Sequence, residues 1–245
     1  ETKSYHVEMV FGKTFNACSI AYMPENLVGE GFLQFQTCFV VNVKLFFREI
    51  IEHLTVASNK VREHRPWYNR VLCRIHLKQY PEAVAELQTM HAKWPSYTKC
   101  YEIEAQVNLQ LKDTLKADSL FAYVISKNHN NGDAWGARGM IAFSKGNYES
   151  ADTLLTHAIK YSPNIPDYYI NRALIRYHNK KLRDAMADYD SAINVDPQNF
   201  LAHYNRGLLR AQVSEDNLAI QDFDFVLKTE PDNLLALFNR AVLLE

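Results

Sequence analysis

Apolar and small residues return along this chain with a period of 34 residues, from about residue 64 to the end. One position of the period is alanine five times in succession, at Ala83, Ala117, Ala151, Ala185 and Ala219. Within each period, apolar residues follow one another at steps of three and four, which is the spacing of one face of an α-helix. The pattern therefore predicts an all-helical chain built from repeated units.

Further columns fix the register of the repeat. Bulky residues recur at Trp67, Tyr101, Trp135 and Tyr169, weakening to His203 and Leu237, and slim residues follow four positions later at Val71, Ala105, Gly139, Ala173, Gly207 and Ala241. In the fourth unit the columns predict a first helix from about Asp167 to His178 and a turn at 179–181. The second helix then runs from about Leu182 to Val195 and ends before Pro197. Because neither helix buries its apolar stripe alone, stacked units must share a continuous core.

The period and columns resemble the tetratricopeptide-repeat family, whose pattern runs W…L-G…Y…A…F…A…P. Residues 132–165 match most closely, through Trp135, Gly139, Tyr148, Ala151, Leu155, Ala158 and Pro163. The resemblance implies a right-handed α-solenoid over residues 64–245, with repeats 64–97, 98–131, 132–165, 166–199, 200–233 and a partial repeat 234–245. Asn-Arg-Ala/Gly triplets at 171–173, 205–207 and 239–241 are similar to those of bacterial multi-repeat proteins. We expect Arg172 and Arg206 to pair with Asp188 and Asp222 of the same units.

Residues 1–63 depart from the period, since Glu49 stands in the alanine column. Residues 5–11 alternate apolar and polar side chains as a strand does, 15–23 could form a second strand, and 32–45 a third strand or a buried helix. Residues 46–57 look helical. We interpret 1–63 as a cap with some β structure, or as a degenerate helical pair, over the first repeat.

At the other end, residues 234–245 supply a first helix without a second. Solenoids usually end in a polar capping helix, so further repeats are expected to follow unless the chain has been trimmed. Without them, four apolar side chains are expected to be exposed: Leu235, Phe238, Val242 and Leu243.

Composition narrows the classes of function. A formal net charge of -1 argues against a general nucleic-acid binder, which needs surplus Lys and Arg. No apolar run reaches the ~18–20 residues that span a membrane. The four cysteines (Cys18, Cys38, Cys73, Cys100) form no close pair, which favours reduced thiols. Cytoplasmic localisation is the default, although export stays open because the chain begins with Glu1.

The resemblance also implies a concave groove lined by the first helix of each repeat, which would hold a protein or peptide partner. The family's groove positions fall here on Tyr68, Asn69, Phe143, Ile170, Asn171, Tyr177, Tyr204, Asn205, Phe238 and Asn239. The family's clamp for a C-terminal carboxylate requires cations, and the matching positions carry none, for example at Ile170, Leu174 and Leu235. An apolar, amide-lined groove suits an extended segment or an apolar helix face.

Three of these amides, Asn171, Asn205 and Asn239, stand 34 residues apart. A carboxamide matches the donor and acceptor of a peptide bond, so the row resembles the asparagine ladder of some peptide-binding superhelices. Ile103 and Ala137 interrupt it. Alternatively, the amides only bond the backbone of a neighbouring helix.

Signals for catalysis are weak, and we predict no enzyme, no cofactor and no metal. Gly12-Lys13-Thr14 imitates the end of a phosphate-binding loop, but Val7 stands where that motif needs glycine. Cys73 and His76 form a C-x-x-H pair near Cys100 and His91, yet no second close pair completes four zinc ligands. The sequence therefore favours a protein-binding scaffold. The alternatives are a structural spacer or assembly arm, and an adaptor for a function carried by residues 1–63 or by a missing part of the protein.

Overall fold

The computed structural model describes residues 47–58 and 63–244, and all helices and strands assigned in those residues are α-helices. The first, α1, covers residues 47–58. Eleven more follow: α2 Arg65–His76, α3 Tyr80–Lys93, α4 Lys99–Gln110, α5 Thr114–Lys127, α6 Gly132–Ser144, α7 Tyr148–Tyr161, α8 Pro166–His178, α9 Leu182–Val195, α10 Phe200–Gln212, α11 Asp216–Thr229 and α12 Leu234–Val242. The predicted all-α fold is confirmed, while the strands predicted within residues 1–45 lie outside the described residues.

Successive helices pair into units that stack in chain order. The pairs are α2 with α3, α4 with α5, α6 with α7, α8 with α9 and α10 with α11, and α12 begins a sixth unit. The fourth unit follows the prediction closely, with its turn at 179–181 between α8 and α9. Each unit also packs on the next, as α7 does on α8. The result is an α-solenoid.

The repeated columns form the core of this solenoid. All five alanines of the alanine column are fully buried, and so are Leu87, Leu155 and Phe223 of the column four residues on. At Gly139 an added Cβ would lie 2.9 Å from Leu155 Cγ. The slim column therefore allows the two helices of a unit to approach one another closely, because a larger side chain would collide with the facing helix.

Each first helix ends in the same turn. The residue at the turn has a positive φ in all five full units: Lys78, Lys112, Gly146, Lys180 and Ser214. The next backbone N–H then donates to the carbonyl five residues earlier, for example Asn147 N–H to Ala142 O at 2.9 Å and Lys181 N–H to Arg176 O at 2.8 Å. This is the Schellman arrangement, which satisfies helix-terminal carbonyls through one left-handed residue.

Gly146 offers a clean test of this turn. Its φ is +75°, and no atom of a neighbouring element lies within 4 Å of the position that a Cβ would take. A substituted side chain would therefore meet no steric contact, and only the strain of the positive φ would affect stability. Gly146→Ala should therefore lower the free energy of unfolding by about 1 kcal/mol. Urea denaturation followed by far-UV circular dichroism measures the change. Lys180→Gly at the matching turn should raise the free energy of unfolding. If Gly146→Ala leaves the free energy of unfolding unchanged, the positive φ does not strain the backbone at this turn.

Helix α1 packs on the first full unit. Arg70 Nη1 donates to Ser58 Oγ at 2.9 Å, and Trp67 Nε1 donates to Ser58 O at 3.4 Å. Residues 47–58 lie one period before α3, so α1 stands where a second helix of a preceding unit would stand. By compactness the chain divides into Glu1–Phe46 and Phe47–Glu245. The domain boundary at residue 63 stays a prediction.

Arginine–aspartate pairs tie the two helices of the later units together. Arg172 contacts Asp188 through two nitrogens, at 2.6 and 2.9 Å, and Arg206 contacts Asp222 in the same way, at 2.6 and 3.0 Å. Both predicted pairs are confirmed. Such two-pronged contacts fix geometry as well as charge, which sets the register of the paired helices.

Candidate functional site

Side chains join the first helices of neighbouring units at two places in the array. The Tyr168 hydroxyl on α8 donates to the Asp133 carboxylate on α6. Asn239 Nδ2 on α12 donates to Tyr204 Oη on α10 at 3.1 Å. We call the exposed side of α4, α6, α8, α10 and α12 the first-helix face. Most of the predicted groove positions lie on these helices, whereas Tyr68 and Asn69 lie on α2.

The end of this face formed by α10 and α12 is apolar. Five exposed side chains make up what we call the apolar patch: Leu201 (45% exposed) and Leu208 (37%) on α10, and Leu235 (64%), Phe238 (67%) and Val242 (53%) on α12. The members on each helix are three, four or seven residues apart, which places them on one side of that helix. Leu201 and Leu208 lie inside the array and are exposed although α9 and α11 both pack on α10. The three residues of α12 lie on the last helix of the sequence, and the column mates of Phe238 inside the array, Tyr204 and Ile170, are less exposed. Contiguous exposed apolar surface of this kind marks interaction sites.

The predicted amide row divides into two kinds. The Asn239 side chain already forms hydrogen bonds within the array, because its Nδ2 donates to Leu235 O at 2.8 Å and to the Tyr204 hydroxyl. Asn171 and Asn205 are half-buried, and their side chains form no hydrogen bond within the described residues. Asn239 thus behaves as the alternative interpretation expects, whereas the other two retain donors and acceptors for a ligand. The ladder itself stays a prediction.

The remaining predicted groove residues contribute mainly to packing. Ile170 is buried and Tyr177 is half-buried in the core of the fourth unit. Phe143 lies in the last turn of α6, its ring centroid 5.6 Å from those of Tyr148 and His178. Tyr68 meets the edge of the Tyr97 ring in the first unit. Half-buried Asn69 lies beside Tyr68 on α2. The structure therefore brings Tyr204, Asn205, Phe238 and Asn239 together on two adjacent helices, but not Phe143 or Tyr68.

A polar cluster lies on the neighbouring part of the face, over α4, α6 and α8, and the sequence did not predict it. The Glu102 carboxylate is buried, where it pairs with Lys99 and accepts from Asn131 Nδ2 at 3.2 Å. Asn131 also caps α6 by accepting from Ala134 N–H at 2.9 Å. Burial and the hydrogen bond to Asp133 raise the pKa of Tyr168, so its phenol stays neutral and donates. The cluster mixes buried and exposed charge on the first-helix face.

An exchange of large and small side chains builds this cluster. Gly136 stands in a column that is otherwise Tyr68, Glu102, Ile170, Tyr204 and Phe238, while Tyr168 stands in a column otherwise occupied by Pro66, Cys100, Ala134, Ala202 and Ala236. A Cβ added to Gly136 would lie 2.6 Å from Tyr168 Cε1, so the tyrosine ring fills the space that the glycine leaves. Both departures are visible in the sequence, and aligning the columns would have revealed them.

Other chemistry on the described part of the chain is limited. Within residues 47–58 and 63–244, no group of three or more His, Cys, Asp or Glu side chains is arranged to hold a metal ion. Cys73 and Cys100 are buried free thiols, and burial raises the pKa of Cys100 to about 12, which makes it a poor nucleophile at neutral pH. Over the same residues, no helix is long and apolar enough to cross a membrane.

Stacked helix pairs with an exposed first-helix face define a class of protein, the α-solenoid interaction scaffold. Residues 132–165 match the family model described as "Tetratricopeptide repeat", and residues 173–214 match the one described as "TPR repeat". These matches show that residues 132–165 and 173–214 are tetratricopeptide repeats, as predicted, and the other helix pairs share the fold. Such repeats generally form non-enzymatic adaptors that bind protein or peptide partners.

Solved structures with low sequence identity share the fold. YrrB, described as a TPR protein with an unusual peptide-binding site, is 19% identical with a TM-score of 0.61, over 78% of this chain and 99% of YrrB. PilF of Pseudomonas aeruginosa is 16% identical with a TM-score of 0.66, over 74% and 82% of the two chains. MamA of Desulfovibrio magneticus RS-1 is 16% identical with a TM-score of 0.61, over 69% and 96%. No curated protein sequence matches the chain significantly.

Proposed function

We propose that the first-helix face, which corresponds to the concave groove of tetratricopeptide arrays, binds a segment of a protein partner. The observation that carries the proposal is the exposure of Leu201 and Leu208 on α10, because these apolar side chains remain open to a partner inside the array, where α9 and α11 pack on the same helix. Asn171 and Asn205 supply amides beside the apolar patch. The peptide-binding site named for YrrB supports the same use of this fold.

The chemistry of the patch suits a segment with apolar side chains. Covering a leucine or phenylalanine fully contributes about 1.5–3 kcal/mol, so two or three such contacts can outweigh part of the cost of ordering the segment. Amides that bond the partner's backbone would hold the segment in register without selecting its side chains. Affinity would come from the patch, and alignment from Asn171 and Asn205.

An affinity capture from native cell extract, identified by mass spectrometry, tests the proposal. We expect Phe238→Asp to remove partners that wild type retains, since a charge in the patch must be desolvated when a partner covers it. The triple variant Asn171→Ala, Asn205→Ala, Asn239→Ala should weaken the same partners if the amides align the segment. Far-UV circular dichroism must first show equal helicity.

Leu115→Asp is the matched control. Leu115 is 73% exposed but lies on α5, a second helix, outside the first-helix face. The Leu115→Asp variant should leave the captured partners unchanged. If Phe238→Asp and Leu115→Asp behave alike, the face is not the binding surface, and a spacer or assembly arm becomes the better description of the protein.

A further inference from the structure

We propose that the bound segment is both basic and apolar: a Lys or Arg side chain lies over Asp133 and Asp167, and apolar side chains cover the apolar patch. The inference rests on the proposed function and adds the chemistry of the partner. It follows from the charge that the first-helix face leaves without a counter-ion, and from the order of residues along one register of the repeat.

The basic side chains of the first-helix face are already neutralised within the array. On α4, α6, α8, α10 and α12, every Lys and Arg is in an ion pair: Lys99 with Glu102, Arg138 with Asp118, Arg172 with Asp188, Arg176 with Asp152, Arg206 with Asp190 and Asp222, Arg210 with Asp222 and Glu215, and Arg240 with Asp224. Glu104 pairs with Lys116. Among these helices' carboxylates, only Asp133 and Asp167 have no cationic partner within ion-pair distance in the described residues. The charge left on these five helices is therefore negative, while Arg65 on α2, earlier in the array, is an exposed cation.

These two aspartates share a column with the apolar patch. One position per period reads Arg65, Lys99, Asp133, Asp167, Leu201 and Leu235 along the array. Lys99 is neutralised by Glu102, so from α4 onward the column passes from neutral to acidic and then to apolar. Asp133 and Asp167 are exposed and are each the second residue of their helix. A segment along the face would meet two carboxylates and then Leu201 and Leu235.

Asp133 is also held in position. Tyr168 donates its hydroxyl to Asp133 Oδ1, and the tyrosine ring is itself seated in the space above Gly136. That contact leaves the second carboxylate oxygen for an incoming donor. A guanidinium group can bond a carboxylate and stack on an aromatic ring at once, which makes arginine a suitable side chain here.

First-turn aspartates also stabilise their own helices through the helix dipole. Stability measurements would not separate that role from recognition, so the test must read ligand preference. Asp184 provides the control: it is exposed and occupies the first turn of α9, a second helix outside the first-helix face. Asp184→Asn removes a similar helix-terminal charge without changing the face.

The probe is a phage-displayed library of random linear peptides, selected on the purified chain. We expect enriched peptides to combine apolar residues with Lys or Arg towards one end. For a selected peptide, fluorescence anisotropy at low salt should show roughly tenfold weaker binding to the double variant Asp133→Asn, Asp167→Asn, and unchanged binding to Asp184→Asn. Added salt should weaken wild-type binding more than binding to the double variant.

The outcomes separate the two proposals. Enriched peptides that are apolar without a basic preference, or that bind the double variant as well as wild type, would overturn the basic–apolar inference and leave the proposed function standing. No enriched peptide, or enriched peptides that bind Phe238→Asp as well as wild type, would overturn the proposed function and this inference with it. Charge reversal gives a positive check: Asp133→Lys with Asp167→Lys should favour peptides in which Glu replaces the basic residue.

Discussion

Replacing Asp222 with alanine is expected to lower the free energy of unfolding by about 3 kcal/mol, because it removes the buried counter-ion that Arg206 and Arg210 share. The variant leaves Arg206 only Asp190, at 2.8 Å, and Arg210 only Glu215, at 4.0 Å, and both of these carboxylate side chains are 48% exposed. Asp222 is 2% exposed, and both of its oxygens are used. Oδ1 accepts from Arg206 Nη2 at 2.6 Å and lies 3.1 Å from His203 Nδ1. Oδ2 accepts from Arg206 Nε at 3.0 Å and Arg210 Nη1 at 2.7 Å.

The cost falls on α10 and α11 together, since Asp222 lies on the second helix and the three groups around it lie on the first. Losing the carboxylate removes the ionic contacts that fix how the fifth unit closes. Urea denaturation followed by far-UV circular dichroism gives the free energy of unfolding. The transition should also broaden if the last units unfold before the rest, as arrays stabilised by nearest neighbours do.

Asp224→Ala is the matched control, two residues along the same helix. Its carboxylate also pairs with an arginine, Arg240, but the Asp224 side chain is 51% exposed. Exposed ion pairs contribute about 0–1 kcal/mol, so this variant should remain close to wild type. Equal losses for Asp222→Ala and Asp224→Ala would mean that water reaches the Asp222 site and that burial does not set the cost.

The repeat made the core predictable. Each position of the 34-residue period occurs about six times in the chain. A requirement for a small side chain is therefore visible as the alanine column, although a single alanine would indicate little. Ala151 and Ala185 are fully buried for the reason the pattern suggests, namely close approach of paired helices. The Arg172–Asp188 and Arg206–Asp222 pairs were predictable too, since both partners recur at one spacing.

The binding surface was less predictable because an exposed side chain is free to vary in sequence and can form hydrogen bonds with any of several neighbours. Asn239 bonds Tyr204, which precedes it by 35 residues, whereas the residue 35 positions before Asn205 is Ile170, which has no polar side-chain atom. Ile170 occupies a groove column yet is buried, because it lies in a core cluster with residues of α9 and α10 such as Tyr189 and Ala202. Averaging over repeats also hides exceptions, and the Gly136–Tyr168 exchange is one that only two units carry.

That exchange suggests how one scaffold acquires a local specificity. Every unit needs the same residue types in its core columns. On the first-helix face, by contrast, side chains can differ from unit to unit as long as the total side-chain volume is conserved. Moving the bulk from Gly136 to Tyr168 keeps the packing and places a phenol beside Asp133. Two substitutions thereby give units three and four a polar character that units five and six lack.

Trp135→Ala is expected to lower the free energy of unfolding by about 3 kcal/mol, the lower end of the range for removing a large aromatic side chain, because the indole is only partly buried. Its ring joins two core clusters, one centred on Phe121 and the other on Leu155. The ring lies 4.6 Å from that of His157, and its Nε1 donates to His129 O at 2.8 Å. Removing it opens a cavity where the second and third units meet the fourth.

Trp135→Phe separates packing from the hydrogen bond. It keeps an aromatic ring between the clusters but loses the donor to His129 O, so a smaller loss of about 1 kcal/mol is expected. Urea denaturation measures both variants, and the change in far-UV signal reports whether the units on either side still unfold together. If Trp135→Ala costs less than about 1 kcal/mol, the bulky column does not hold adjacent repeats together, and the stacking must depend on the alanine and leucine columns alone.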